Sequence, residues 1–461
     1  MAMSQDLTRG KVSWILFSFS LPFLLSCLLQ TLYGMTDLYF MGRYGGVEEI
    51  TAVSIGSQLM HLLTVVLIGL SMGATVLVAR LAGAKRRDAI PQVIGNTALL
   101  FLGLSLALAL LLFLLAPGIV SLLGTPPESR EGTCLYLRIC FCGLPFLTAY
   151  NVTGAILRGM GDSRSPMLYV ALAGLLNVLL DYLLLGPGGM GPGGAALATV
   201  IAQGASVALA LIPLTRKGGE LSLSLQDFRP RADLLRQLLK IGLPIACQDG
   251  FIQVAFLVIT VIANLRGLQD AAAVGIVEKQ ICFLFLVPSA MLASVSAMAA
   301  QNLGVGRHDR ARQTLGCALA ISLGYGLLCI VAMHLFSEEA VALFTSDAQV
   351  IRLGGEYMRG YVWDCLLAGI HFCFSGFFCA YGRSGLSFLH NACSILLARI
   401  PLAYLASLHF PHSLYPMGLA TSSGSALSAL LCLLFFLGIP SLRCPEKCLS
   451  PGNSPPNTGS L

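Results

Sequence analysis

The stretch Leu175–Thr199, LLNVLLDYLLLGPGGMGPGGAALAT, sets one aspartate, Asp181, in an apolar run that ends in a turn of six glycines and two prolines. Apolar residues on both sides of so short a turn read as two antiparallel helices. A carboxylate in such a run is costly in hydrocarbon, roughly 2.5–3.5 kcal/mol on insertion scales, so it is expected to face a bundle interior and to mark a pathway.

Composition says that the surroundings are lipid. Of 461 residues, 56% are hydrophobic and 11% are charged; a soluble domain carries roughly 25% charged residues. Gly, Pro and charge separate twelve apolar runs long enough to span a bilayer, near 13–40, 52–80, 91–115, 133–158, 167–186, 194–214, 238–263, 272–300, 311–336, 350–380, 386–409 and 418–439. The first run is too long for a cleavable signal peptide and lacks a small-residue cleavage site, so it reads as a span. Most of the 15 cysteines lie inside apolar runs, as at Cys27, Cys282 and Cys379, and read as small hydrophobes. Cys444 and Cys448 lack the second pair that a structural metal site needs and read as free thiols.

Lysine and arginine crowd one set of loops: 80–89, 157–165, 215–240 and 305–312. The loops at 42–49, 264–270 and 407–416, with the glycine turn, are nearly bare. This bias predicts a multi-pass protein of the cell membrane with both termini cytoplasmic. The net charge of +6 then reports topology, and no nucleic-acid partner is expected. From Arg231 the linker has helical spacing, Leu234, Leu235, Leu238 and Leu239 against Arg236 and Lys240, which suits an amphipathic helix on the inner surface or a solvated linker.

The two halves match at one offset of 221 or 222 residues. Leu21-Pro22 answers Leu243-Pro244, Ala52-Val53 answers Ala273-Val274, Leu81 onward answers Leu303 onward, Gly161 answers Gly382, and Leu197-Ala198-Thr199 answers Leu419-Ala420-Thr421. Six runs separate equivalents, so the repeats are parallel and related by an axis along the membrane normal. The expected fold is an all-α polytopic membrane protein, with twelve transmembrane helices in two six-helix bundles related by a pseudo-twofold axis. Residues 1–214 form the first bundle, 215–240 a cytoplasmic linker, 241–440 the second bundle, and 441–461 a disordered cytoplasmic tail. A cleft between two such bundles suits alternating access by a secondary transporter.

Counting from the turns gives depth. Asp37 lies five residues before Gly42, Asp181 five before the glycine turn, and Thr199 five after it. At 1.5 Å per residue, all three sit roughly 7–8 Å below the outer helix ends, with Asn177 one turn from Asp181. Two carboxylates close together in low dielectric cannot both stay charged without a cation. Asp37, Asn177, Asp181 and Thr199 are therefore the candidate site for a proton or a sodium ion, which prefers oxygen ligands. Gln30, Tyr33, Gln248, Asp249, Gln253 and Glu278 are candidate cleft residues, and Asp364 and Arg399, at similar depth, a candidate structural ion pair. No metalloprotease, diphosphate or ATP-binding motif is present, and no GxSxG with plausible triad partners, so neither an enzyme nor an ATP-driven pump is expected. No cofactor is expected, the partners being a small-molecule substrate and the bilayer, and the protein is expected to act as a monomer.

At these residues the chain resembles the multidrug and toxic compound extrusion (MATE) family. The resemblance covers about 13–440 and rests on LPFLLSCLLQTLYGMTDLYFMGRYG, ARLAGAKRRDA, LRGMGDSRSP, AQNLGVGRHDRA and RIPLAYL. It implies two six-helix lobes and substrate export driven by sodium or proton entry. The chain is similar to the subgroup named for a DNA-damage-inducible protein, whose first-helix aspartate, fifth-helix Asn-x-x-x-Asp and sixth-helix threonine fall on Asp37, Asn177, Asp181 and Thr199. Another subgroup couples ions through a seventh-helix glutamate; here that run holds Gln248, Asp249 and Gln253 instead. A flippase of related fold and a passive channel are the competing expectations.

Overall fold

The computed structural model describes residues 5–215 and 223–443, and every regular element among them is helical. The first half holds α1 (Val12–Tyr44), α2 (Val47–Gly83), α3 (Ile90–Leu122), α4 (Arg130–Cys142), α5 (Leu144–Gly159), α6 (Arg164–Leu185) and α7 (Gly191–Thr215). The second holds α8 (Ala232–Arg266), α9 (Leu268–Leu284), α10 (Leu286–Gly304), α11 (His308–Ala342), α12 (Ala348–Tyr361), α13 (Trp363–Ala380), α14 (Ser384–Ser394), α15 (Ile400–His409), α16 (Tyr415–Gly438) and the short α17 (Pro440–Arg443). A π-helical turn, Ile395–Arg399, joins α14 to α15. Among the described residues, eleven apolar rods are long enough to cross a membrane, and the α4–α5 pair, bent by 50°, makes twelve. The chain is an all-α polytopic membrane protein of two six-span bundles.

Hydropathy reads only the apolar middle of each rod. The 37 residues of α2 extend about 55 Å at 1.5 Å per residue, well past a hydrocarbon core of about 30 Å. The breaks at Gly143, Phe285 and Val362 interrupt helices without interrupting the apolar runs, so nothing in hydropathy marks them. The helix expected from Arg231 is not a separate surface element. It is the first part of α8, because Leu238 and Ile241 are buried. Linker residues 216–222 and tail residues 444–461, with Cys444 and Cys448, lie outside the described residues.

The halves share a core at the end of the molecule that carries Lys85, Arg86, Arg307, Leu7 and Leu442. There Leu70 and Ala79 of α2, Ile245 of α8 and Met298 of α10 belong to one buried cluster. Toward the opposite end the cores separate. One is built only from first-half residues such as Met41, Val53 and Leu137; the other only from second-half residues such as Ile259, Val277 and Tyr357. The bundle is thus closed at its basic end and parted at the other.

Backbone-to-backbone packing makes the closed seam. A Cβ on Gly73 would stand 2.3 Å from the Leu238 carbonyl oxygen, and one on Gly242 would stand 2.1 Å from that of Leu70. Between α2 and α10 the contact is reciprocal: a Cβ on Gly83 would meet the Gln301 carbonyl oxygen at 2.0 Å, and one on Gly304 would meet that of Arg80 at 2.2 Å. Residues 80 and 83 answer 301 and 304 at an offset of 221, so the pseudo-twofold axis passes between them. The helix caps agree, since Lys85 (φ 58°) and Gly306 (φ 74°) share the left-handed conformation. The register here is therefore 221, correcting the expected pairing of Leu81 with Leu303. Hydrogen bonds finish the seal: Arg80 Nη2 donates to the Ala380 carbonyl at 2.5 Å, and Gln301 Nε2 to that of Gly159 at 3.0 Å.

Gly83→Val is expected to weaken this closed arrangement by about 1–3 kcal/mol, the usual cost of overpacking. Spin-label distances across the α2–α10 seam should lengthen and broaden in the variant; an unchanged distribution would show that the seam does not hold the halves.

Candidate functional site

The glycine turn does what its composition demands. Gly189 (φ 56°) and Gly191 (φ 55°) take left-handed backbone that L side chains rarely adopt, and this folds α7 back along α6. Asp181 and Asn177 lie one turn apart on the buried face of α6, and neither is solvent-exposed. Asp37, on α1, is 4% exposed. From the helix ends found here, Asp37 lies about 10 Å below the end of α1 and Asp181 about 6 Å below that of α6.

These side chains form one network. The Thr199 hydroxyl donates to Asp37 Oδ2 at 3.1 Å, and Asn177 Nδ2 donates to Asp37 Oδ1 at 3.4 Å. Asn177 Nδ2 also lies 3.4 Å from Thr199 Oγ1. On the other side of the amide, Thr36 Oγ1 is 3.0 Å from Asn177 Oδ1 and 3.3 Å from Asp181 Oδ2. The second oxygen, Asp181 Oδ1, is buried with no hydrogen-bond partner. An orphaned carboxylate oxygen costs free energy unless a proton or a cation satisfies it. Two carboxylates, two hydroxyls and an amide oxygen are the hard-oxygen set a monovalent cation takes, and protonation of one acid would serve equally.

Thr36 was missed from the sequence. It stands next to Asp37, and adjacent helical residues point about 100° apart, so counting assigns it to another face. It reaches the cluster because α6 packs against that second face of α1.

The other candidates fall in two places. Gln248 is fully buried with both amide atoms unpartnered. Asp249 lies on the α2–α8 seam, its Oδ2 2.7 Å from where a Gly69 Cβ would stand, close to the point where the halves part. Gln30 and Gln253 are half-buried, and the side chain of Tyr33 lies outside the described residues. Glu278 is engaged inside the second half, where the Thr260 hydroxyl donates to its Oε2 at 3.0 Å. Asp364 and Arg399 form a buried ion pair in the same region. Among the described residues, no three His, Cys, Asp or Glu side chains group as a metal site would need.

Comparison with known proteins fits this architecture. The sequence model of MatE matches residues 22–183 and again 244–405. The chain belongs to the MatE family. The two matches repeat the internal offset of 222 residues and cover both halves. The probable multidrug resistance protein YoeA of Bacillus subtilis is 27% identical over 358 residues, 76% of this chain and 77% of that one. An FAD transporter of Shewanella oneidensis is 28% identical over 87% of this chain and 89% of its own. A solved outward-facing conformation of a multidrug resistance MATE transporter superposes with a TM-score of 0.88 at 22% identity, over 96% of this chain and 99% of that one. This MatE protein is therefore a multi-pass membrane protein of a transporter family.

Thr199→Val removes a donor to Asp37, and Thr36→Val removes a contact of Asp181. Each is expected to lower stability by about 0.5–1.5 kcal/mol, with a double variant that departs from additivity because the network is shared. Thermal unfolding of the purified protein in detergent measures this; strict additivity would mean two independent clusters.

Proposed function

We propose that the chain is an antiporter that exports organic, cationic or amphipathic compounds in exchange for a proton or a sodium ion bound at Asp37, Asn177, Asp181 and Thr199. The observation that carries this reading is the meeting of two buried carboxyl groups, one with an orphaned oxygen, in the half of the bundle where the cores part.

The basic end is taken as cytoplasmic from its lysines and arginines. The cleft then opens to the outside, and the acids lie within reach of external cations. A cation arriving from outside neutralises one acid, strengthens the α1–α6–α7 contacts and disfavours the substrate-bound arrangement. Rocking of the halves about the glycine seam then exposes the cleft to the cytoplasm, where the cation leaves and substrate enters. One charge moving through 100 mV supplies about 2.3 kcal/mol, and one pH unit about 1.4 kcal/mol. Together these sustain a gradient of a few hundredfold for a neutral substrate at one-to-one exchange. For a cationic substrate the electrical parts cancel and the chemical gradient alone drives export. Around Asp249, Gln253 and Gln30, the half-buried polar groups offer such compounds hydrogen bonds and one ionisable carboxyl group. The protein works as a monomer in this scheme, since each chain contains both bundles.

Efflux of a fluorescent organic cation from proteoliposomes tests the coupling, with sodium and pH gradients imposed separately. Asp37→Asn and Asp181→Asn are each expected to lower gradient-driven flux at least tenfold. Equal flux in wild type and both variants under each gradient would refute coupling at this cluster. Flux that never concentrates substrate would mark a channel, and movement of a lipid-linked probe in place of the cation would mark a flippase.

A further inference from the structure

The internal repeat can be followed residue by residue into the second half. On α6 the buried positions include Val170, Ala173, Asn177 and Asp181. The corresponding rod buries Asn391 and Ser394 before the π turn, and Arg399 and Ala403 after it. The register is therefore 221 up to Ser394 and 222 beyond, and the π turn holds the inserted residue. Arg399 answers Asn177, and Ala403 answers Asp181. On the first span of each half, Asp37 and Met41 answer Ile259 and Ala263, which are likewise buried.

The second half thus has isoleucine and alanine where the first has its two acids, and arginine where the first has an amide. The surrounding geometry is kept. In the first half the side-chain nitrogen of residue 177 lies 3.4 Å from Thr199 Oγ1. In the second, Arg399 Nε donates to the carbonyl oxygen of Thr421, the answering residue, at 3.3 Å. Asparagine only lines a pocket, whereas arginine is longer and carries its charge into the pocket. The guanidinium pairs with Asp364 from the α12–α13 break, and its carbon lies 5.8 Å from the ring centroids of both Phe256 and Tyr361. Two oxygens in this region, Glu278 Oε1 and the Tyr361 hydroxyl, are buried without hydrogen-bond partners, while Asp364 and Tyr357 also lie against Ser425 and Thr421. A structural ion pair needs only one carboxylate. An acid, a second acid and two phenols around one guanidinium form an oxygen-lined cation pocket with a cation already in it.

We propose that the Arg399 guanidinium is a tethered cation, occupying in the second half the place that the coupling ion takes in the first. Only the first half then exchanges its cation with solvent, and the second keeps a latent monovalent-cation site that opens when the guanidinium is removed. This rests on the reading of Asp37 and Asp181 as a cation site. It goes beyond that reading by fixing the number of exchangeable sites per chain. The titratable groups that face the guanidinium are Asp364 and His371 from α13, Glu278 from α9, and Tyr357 and Tyr361 from α12; α8 and α16 present Phe256 and Thr421.

The test is cation-dependent melting of the purified full-length protein, titrated with sodium at fixed pH and with acid at fixed sodium. Arg399→Asn installs the first-half residue and should gain a saturable rise in melting temperature with one of the two cations, which identifies sodium or the proton as its occupant. Arg399→Lys keeps a tethered charge and should stay blind to both. Arg399→Asn/Asp364→Asn removes both charges and should fold without the new dependence. In the Arg399→Asn background, Asp37→Asn/Asp181→Asn should leave the new dependence intact, whereas in the wild-type background the same pair should abolish whatever cation dependence exists. Loss of that wild-type effect bears on the first-half reading alone. The tethered-cation proposal is overturned by an Arg399→Asn protein with wild-type cation dependence. It is equally overturned if Arg399→Asn folds in no sodium concentration or pH while Arg399→Asn/Asp364→Asn folds, since a free cation would then have failed to replace the guanidinium.

Discussion

A carboxylate inside hydrocarbon must be compensated, and much of this molecule is arranged around that constraint. In the first half the compensation is incomplete within the protein: hydroxyls and an amide satisfy most of the oxygens of Asp37 and Asp181, but one is left over. In the second half Asp364 is paired with Arg399. The same six-span scaffold therefore carries one open electrostatic account and one closed by a residue of its own. On the reading proposed above, an asymmetry of that kind gives a duplicated fold a direction, because the two lobes would answer a mobile cation differently.

The seam is the other half of the mechanism. Two bundles that rock must stay in contact somewhere, and the contact must tolerate sliding. Glycines at 73, 83, 242 and 304 bring backbones together with no side chains interlocked between them. Such a joint is stabilised by many small dispersion contacts and is not tied to one rotamer arrangement. The reciprocal pairing of residues 80 and 83 with 301 and 304 puts the joint on the pseudo-twofold axis, where rotation of one half moves the other least. Asp249 lies along the same interface, so a charge change or a substrate there acts where the halves begin to part.

The sequence by itself determined the class, the number of spans, the duplication and four members of the first-half cluster, Asp37, Asn177, Asp181 and Thr199. Each follows from one-dimensional information: hydropathy over about twenty residues, charge bias between loops, one repeated offset, and helical counting from a glycine turn of fixed length. Tertiary structure alone decided the breaks at Gly143, Phe285 and Val362, the true start of α8, the part played by Thr36, and the engagement of Glu278 within the second half. Thr36 and Glu278 depend on which face of a helix meets which neighbour, and composition carries no signal for that. The π turn at Ile395–Arg399 shows the reason most plainly. It changes the repeat register by one residue, and with it the side chain that enters the pocket, while leaving the apolar run unbroken. Hydropathy averages over such a step, whereas packing, which sets every side chain by direction as well as depth, does not.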